Sequence, residues 1–131
     1  MENYLKDEGY ALMGAGFEVY NQMGPGLSEE IYQECLEIEF EEQKIPFLSQ
    51  ARLQVWYKER LLHKVYIPDL FVHDEIVVEL KAIKNLTTQD EKQLFNYLHI
   101  TKKALGYLIN FGNPHKLEWK RIILSQYIPT R

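Results

Sequence analysis

Only one cysteine, Cys35, occurs in the 131 residues, so no disulfide forms within the chain and a reducing, cytoplasmic setting is expected. No apolar run approaches the ~20 residues of a membrane-spanning helix, and the opening MENYLKDEGY is too polar and acidic for a secretory leader. Four histidines, His63, His73, His99 and His115, show no ligand spacing and no pairing with Cys35, which argues against zinc. A Gly-rich phosphate loop is missing, as is any arrangement that would activate a serine or cysteine nucleophile. Excess base is missing too: the net charge of −4 counts against a nucleic-acid partner. That charge is unevenly spread. Residues 1–45 hold eleven acids and two bases, whereas 46–131 hold eight acids and thirteen bases. The second part can meet phosphate locally, with weak and strongly salt-sensitive binding.

What is present suits a folded domain. Hydrophobic residues at 46% and aromatics at 13% argue against disorder, and the length fits one domain over 1–131. Leu5, Leu12, Ala15, Val19 and Met23 recur at helical spacing over 4–23, and Gly24-Pro25-Gly26 stops that helix. Ser28 can cap a second helix with Glu29 and Glu30 in its first turn and Ile31, Tyr32, Cys35, Leu36 and Phe40 as its buried stripe. After Pro46 come strand-like runs. Leu53, Val55 and Tyr57 alternate with polar neighbours, Lys58-Glu59-Arg60 reads as a hairpin turn, and Leu61–Val72 and Ile76–Lys81 complete a meander. Pro68 removes a ladder donor, so its strand is bulged, at an edge, or bent just before Asp69. Thr88 and Glu91 form a capping-box pattern for a helix reaching about Ile100. Ala104–Phe111 suits a buried strand, and Leu117–Leu124 a last strand or short helix. The class is α/β.

Chemistry concentrates at Asp69 and Glu79-Leu80-Lys81. Side chains alternate along a strand, so Glu79 and Lys81 share a face, and the His73-Asp74-Glu75 turn folds Asp69 back beside them. Two hard oxygen donors beside an ammonium suit Mg²⁺ or Mn²⁺ next to a phosphate and a water, the working end of a metal-dependent phosphodiesterase. The plainer alternative is a pair of surface acids near a turn, or an ion pair of Lys81 with either carboxylate. Both acids interrupt strongly apolar runs, where an unpaired charge is expensive to bury, and that favours the functional reading.

The element order, with Pro68-Asp69 and Glu79-Leu80-Lys81 across neighbouring strands, resembles the PD-(D/E)XK nuclease superfamily. More closely, Gly26-Leu27-Ser28-Glu29-Glu30-Ile31-Tyr32, followed by IPF, VELKAI, QLFNYL and LGYLINFG, resembles the small GxxExxY proteins over roughly residues 10–124. The resemblance implies a restriction-endonuclease-like core, in the order α-β-β-β-α-β with an extra N-terminal helix, and a Mg²⁺-dependent nuclease activity. By position it makes Asp69 and Glu79 metal ligands, Lys81 the catalytic lysine and Glu29 a first-helix acid that serves as an outer ligand or holds a metal-bound water. Gln93 and Tyr97 fall on the Q-x-x-x-Y pattern of the following helix, four apart and so on one face. The Leu80 carbonyl would complete the protein's share of the metal shell. Pro68 stands where relatives more often carry a small residue. The partner expected is nucleic acid, DNA before RNA, with a homodimer or partner protein supplying surface that so small a domain lacks. The alternative is a nuclease-like fold without catalysis, serving as a nucleic-acid-binding or assembly module. Its motivation is the acidic first half and the lack of an obvious DNA-recognition element.

Overall fold

Helix α1 spans Lys6–Met23 and ends where Gly24 (φ 70°) and Gly26 (φ 100°) take backbone angles that side chains resist. The structure, a computed structural model, describes residues 3–130. Helix α2 follows as Glu29–Gln43, with Ser28 at the N-cap position although its side chain makes no capping bond. Its buried stripe is narrower than expected. Tyr32, Leu36 and Phe40, four apart, are fully buried, whereas Ile31 is 43% exposed and Cys35 only partly covered. Met23 likewise faces out at the end of α1.

Among the described residues seven strands complete the frame: β1 (Phe47–Leu48), β2 (Leu53–Tyr57), β3 (Arg60–Tyr66), β4 (Leu70–Val72), β5 (Ile76–Lys81), β6 (Leu105–Asn110) and β7 (Glu118–Ile123). The expected meander is not formed. Ile67-Pro68-Asp69 cuts Leu61–Val72 into two strands that belong to different sheets. Proline has no N–H with which to continue the ladder, so pairing with β2 stops at Tyr66. The β2–β3 pair is a separate ribbon with a two-residue turn at Lys58-Glu59, and Tyr57 beside that turn is exposed. The main sheet has the order β1-β4-β5-β6-β7, with β5 and β6 parallel and the other pairs antiparallel.

Helix α3 (Thr88–Thr101) makes the crossover between β5 and β6. Its capping box lies one residue earlier than expected, on Thr87 and Asp90, because the Asp90 carboxylate reaches back to both the N–H and the hydroxyl of Thr87 at 2.9 Å. Strand alternation sorts the sheet into two faces. Leu70, Val72, Ile76, Val78 and Leu80 pack under α1 and α2, while Phe71 and Val77 meet Leu94 and Leu98 of α3 together with Leu53, Val55 and Tyr66 of the ribbon. Strand β6 is buried at every position, as a strand covered on both faces must be. Among the described residues no helix is long and apolar enough to cross a membrane.

The segment leaving β5 is held by backbone contact. Asn110, fully buried, accepts from the Ile83 N–H and donates to the Ile83 carbonyl and to Glu118. Gly112 lies so close that an added Cβ would sit 2.4 Å from the Ile83 nitrogen. Gly112→Ala is therefore expected to lower stability by about 2–3 kcal/mol, the upper range for overpacking, because backbone and not a flexible side chain would have to move. Urea unfolding of the variant checks it; an unchanged midpoint would contradict the packing described.

Candidate functional site

At the β4–β5 hairpin, Leu70 stands opposite Val78, so Asp69 comes opposite Glu79 one step further along. The two acids lock each other through the backbone. The Asp69 N–H donates to Glu79 Oε1 at 2.9 Å, and the Leu80 N–H donates to Asp69 Oδ2 at 2.7 Å. One oxygen of each carboxylate is thus fixed by a main-chain donor, leaving the other free of such donors. From α2, Gln33 Nε2 donates to the Asp69 carbonyl at 2.9 Å, which anchors the acid from the opposite layer.

Both carboxylates resist ionisation. Burial pushes Glu79 up to about 7, and the neighbouring Asp69 charge adds to this against the opposing Asp69 N–H, Tyr66 and Lys81. Burial raises Asp69 as well, opposed by the Leu80 N–H and by Lys81. Glu29, in the first turn of α2, is raised by partial burial and then by the Asp69 charge, with Lys81 acting the other way. The structure therefore brings Glu29, Asp69, Glu79 and Lys81 within electrostatic reach of one another. Among the described residues, however, no three His, Cys, Asp or Glu side chains are gathered closely enough to cage an ion.

Lys81 does not pair with Asp69 or Glu79. Its ammonium lies 3.9 Å from Asp90 Oδ1, with a quarter of the side chain exposed, so the start of α3 tethers it. Gln93 is exposed on α3, and its side chain makes no hydrogen bond among the described residues. Tyr97, one turn on, is half-buried and stacks on Tyr66 with ring centroids 4.0 Å apart. Tyr66 was not anticipated. It closes β3, and its buried hydroxyl has no hydrogen bond of normal geometry, yet it sits near enough to the Glu79 charge for that charge, after burial, to push it up. The available signal was a polar aromatic three residues before Asp69 in an otherwise apolar run. Gln33 and Asp90 were missed because their partners lie in other layers.

The Gly26…Glu29…Tyr32 spacing has a structural basis. The Tyr32 hydroxyl donates to the Gly24 carbonyl and accepts from the Leu27 N–H, closing the loop that Gly26 turns, while its ring stacks on Phe111 at 4.7 Å. This holds the start of α2, and with it Glu29, within reach of the charges of Asp69 and Lys81.

The donor set fits a hard divalent ion bound mainly by water, because two hindered carboxylates present free oxygens and gain by losing their mutual repulsion. It does not fit a three-acid cage. A larger hollow of about 620 Å³ between α1 and β7, lined by Tyr10, Phe17, Tyr107 and Trp119 among others, includes none of these residues.

A family model described as the PD-(D/E)XK nuclease superfamily matches residues 6–122. No curated protein matches the chain. Among solved structures, one described as "Crystal structure of SSO0001" is similar with a TM-score of 0.56 at 16% identity, covering 74% of this chain. The match spans 51% of that protein, so this chain corresponds to about half its length, and at this identity the likeness shows the fold alone.

Proposed function

The chain belongs to the PD-(D/E)XK nuclease superfamily, with a restriction-endonuclease-like core and an extra N-terminal helix, and we propose that it hydrolyses nucleic-acid phosphodiesters, DNA before RNA, with Mg²⁺ or Mn²⁺. The observation that carries this reading is the reciprocal lock of Asp69 and Glu79, two acids held side by side by main-chain donors although burial opposes their charges. A pair so strained without a cation is expected where one binds. Asp69, Glu79 and the Leu80 carbonyl are the protein's expected ligands, with Glu29 in the outer shell. When bound, the ion supplies a Lewis acid for a phosphate oxygen and makes a water acidic.

The chain's own groups do the rest. Lys81, tethered by Asp90, presents its ammonium to the attacked phosphate and steadies the charge that develops there. Gln93, exposed and uncommitted, orients water or a phosphate oxygen. Tyr97 shapes the wall through Tyr66. Within the superfamily we assign the chain to the GxxExxY proteins, a reading supported by Gly26, which turns the loop before α2 at φ 100°, and by Tyr32, whose hydroxyl closes that loop.

A second reading has specific support. Without a three-acid cage among the described residues, a nuclease-like fold that binds nucleic acid or assembles with protein asks least beyond the fold, and the fold findings back it more directly than they back catalysis. Lys81→Met separates the two. Cleavage of mixed nucleic acids in Mn²⁺ is expected to fall by about 10²–10³-fold with thermal stability kept, the usual loss when one charge-stabilising donor is removed. Metal-independent residual activity equal in both proteins would leave only the binding or assembly role.

A further inference from the structure

Away from the carboxylates, a cavity of about 480 Å³ opens between β2 and the C-terminal end of α3. Arg52, Lys102 and Lys103 line it with Trp56, Gln54 and Thr101, and no carboxylate does. Two of the cations are steadied by ring faces. The Lys102 ammonium lies 4.7 Å from the centre of Trp56, and that of Lys103 lies 5.4 Å from Phe71. Among the described residues none of the three cations makes a salt bridge. Part of this charge serves the helix, since a cation in the last turn offsets the C-terminal dipole by roughly 0.3–1 kcal/mol. That accounts for a lysine at the C-cap of α3, but not for Arg52 arriving from just before β2 at the same hollow.

The ribbon around the cavity has the same sign. Residues 51–66 carry Arg52, Lys58, Arg60 and Lys64 against Glu59 alone, and Arg60 to Lys64 are exposed without interruption. Three cations converging without a counter-acid repel one another, and an anion between them removes that cost. The cavity and the carboxylates lie at opposite ends of α3: Asp90 beside Lys81 opens the helix and Lys102 ends it, roughly 18 Å away at 1.5 Å per residue. The Tyr66–Tyr97 stack lies on the same side of the sheet.

We infer that this cavity holds a backbone phosphate of the nucleic acid whose cleavage position lies at the other end of α3. The inference rests on the nucleic-acid reading above but not on cleavage, so it is tested without metal. A fluorescein-labelled 20-base-pair DNA duplex is titrated in EDTA, by anisotropy, from 20 to 200 mM KCl. The triple variant Arg52→Gln/Lys102→Asn/Lys103→Gln uses asparagine at Lys102 because that residue has φ 56°. It is expected to bind at least about tenfold more weakly at 50 mM salt, with a slope of log affinity against log salt shallower by about 1, at ~0.9 for the one phosphate no longer neutralised. Lys116→Gln/Lys120→Gln, which removes charge from the β7 side, keeps affinity and slope. Should the triple variant prove unstable on heating, Arg52→Lys beside Arg52→Gln carries the test, with the slope kept in the first and reduced, by up to about 1, in the second. An unchanged slope in the triple variant and in Arg52→Gln, an equal loss in the β7 control, or no binding by the wild type in EDTA overturns the inference. Failure of the cleavage reading shows separately, as metal-dependent cleavage that is absent or survives loss of Asp69 while this salt dependence persists.

Discussion

Asp69→Ala is expected to lower Mn²⁺-supported cleavage by about 10³-fold or more, while leaving the protein folded. The magnitude follows from the several kcal/mol that a bound metal contributes to transition-state charge, at 1.36 kcal/mol per tenfold in rate. Two structural effects of the substitution oppose each other. Removing Asp69 Oδ2 strands the Leu80 N–H, worth about 1–3 kcal/mol if that donor stays dry. It also lifts the Asp69 charge from Glu79, whose ionisation that charge hinders. Asp69→Asn keeps an acceptor for Leu80 and so isolates the loss of charge; it should be as inactive as the alanine variant and more stable. Mn²⁺ should raise the melting temperature of the wild type and of neither variant. Cleavage at the wild-type rate by either protein would remove the enzyme reading.

The second large effect is on stability. Glu79 titrates at about 7 in the fold against 4.5 ordinarily. Between those values the folded state binds more protons than the unfolded chain, so stability falls as pH rises. The contribution is complete below pH 4.5 and is lost as pH passes 7. The full shift corresponds to about 3 kcal/mol at 1.36 kcal/mol per unit. Local relaxation and the coupling to Asp69 reduce it, and Glu79→Gln is expected to gain about 1–3 kcal/mol over wild type at pH 8 in metal-free buffer. Glutamine keeps an oxygen for the Asp69 N–H. At pH 4.5 the two proteins should unfold at nearly the same temperature. A gap between them that is the same at both pH values would contradict the burial of the Glu79 charge. Asp69, raised in the same direction, adds to the decline of the wild type.

Local rules made much of this legible. Gly24-Pro25-Gly26, the apolar run Ala104–Phe111 and the His73-Asp74-Glu75 turn each declare themselves within a few residues, and the turn alone suffices to bring Asp69 beside Glu79. What stayed hidden depends on contacts between layers. Alternation in 53–66 tells that Leu53 and Val55 are buried, but not that their partner is α3 and that the pair forms a sheet of its own. Lys81 next to two acids in sequence suggests an ion pair with them, whereas the fold offers Asp90 from a helix that begins seven residues later. Thr87 and Thr88 both start a Thr-x-x-acid pattern, and only the reach of Asp90 decides between them.

Strand β7 forms one margin of the sheet, and its charges govern what can add there. A second copy pairing antiparallel with it keeps the two faces of the sheet aligned, so a register centred on Lys120 sets that lysine, and one centred on Arg121 that arginine, across from its own copy. Like charges directly opposed weaken a ladder. Growth by strand addition is thereby discouraged at a rim that otherwise offers open main-chain groups and an exposed Trp119.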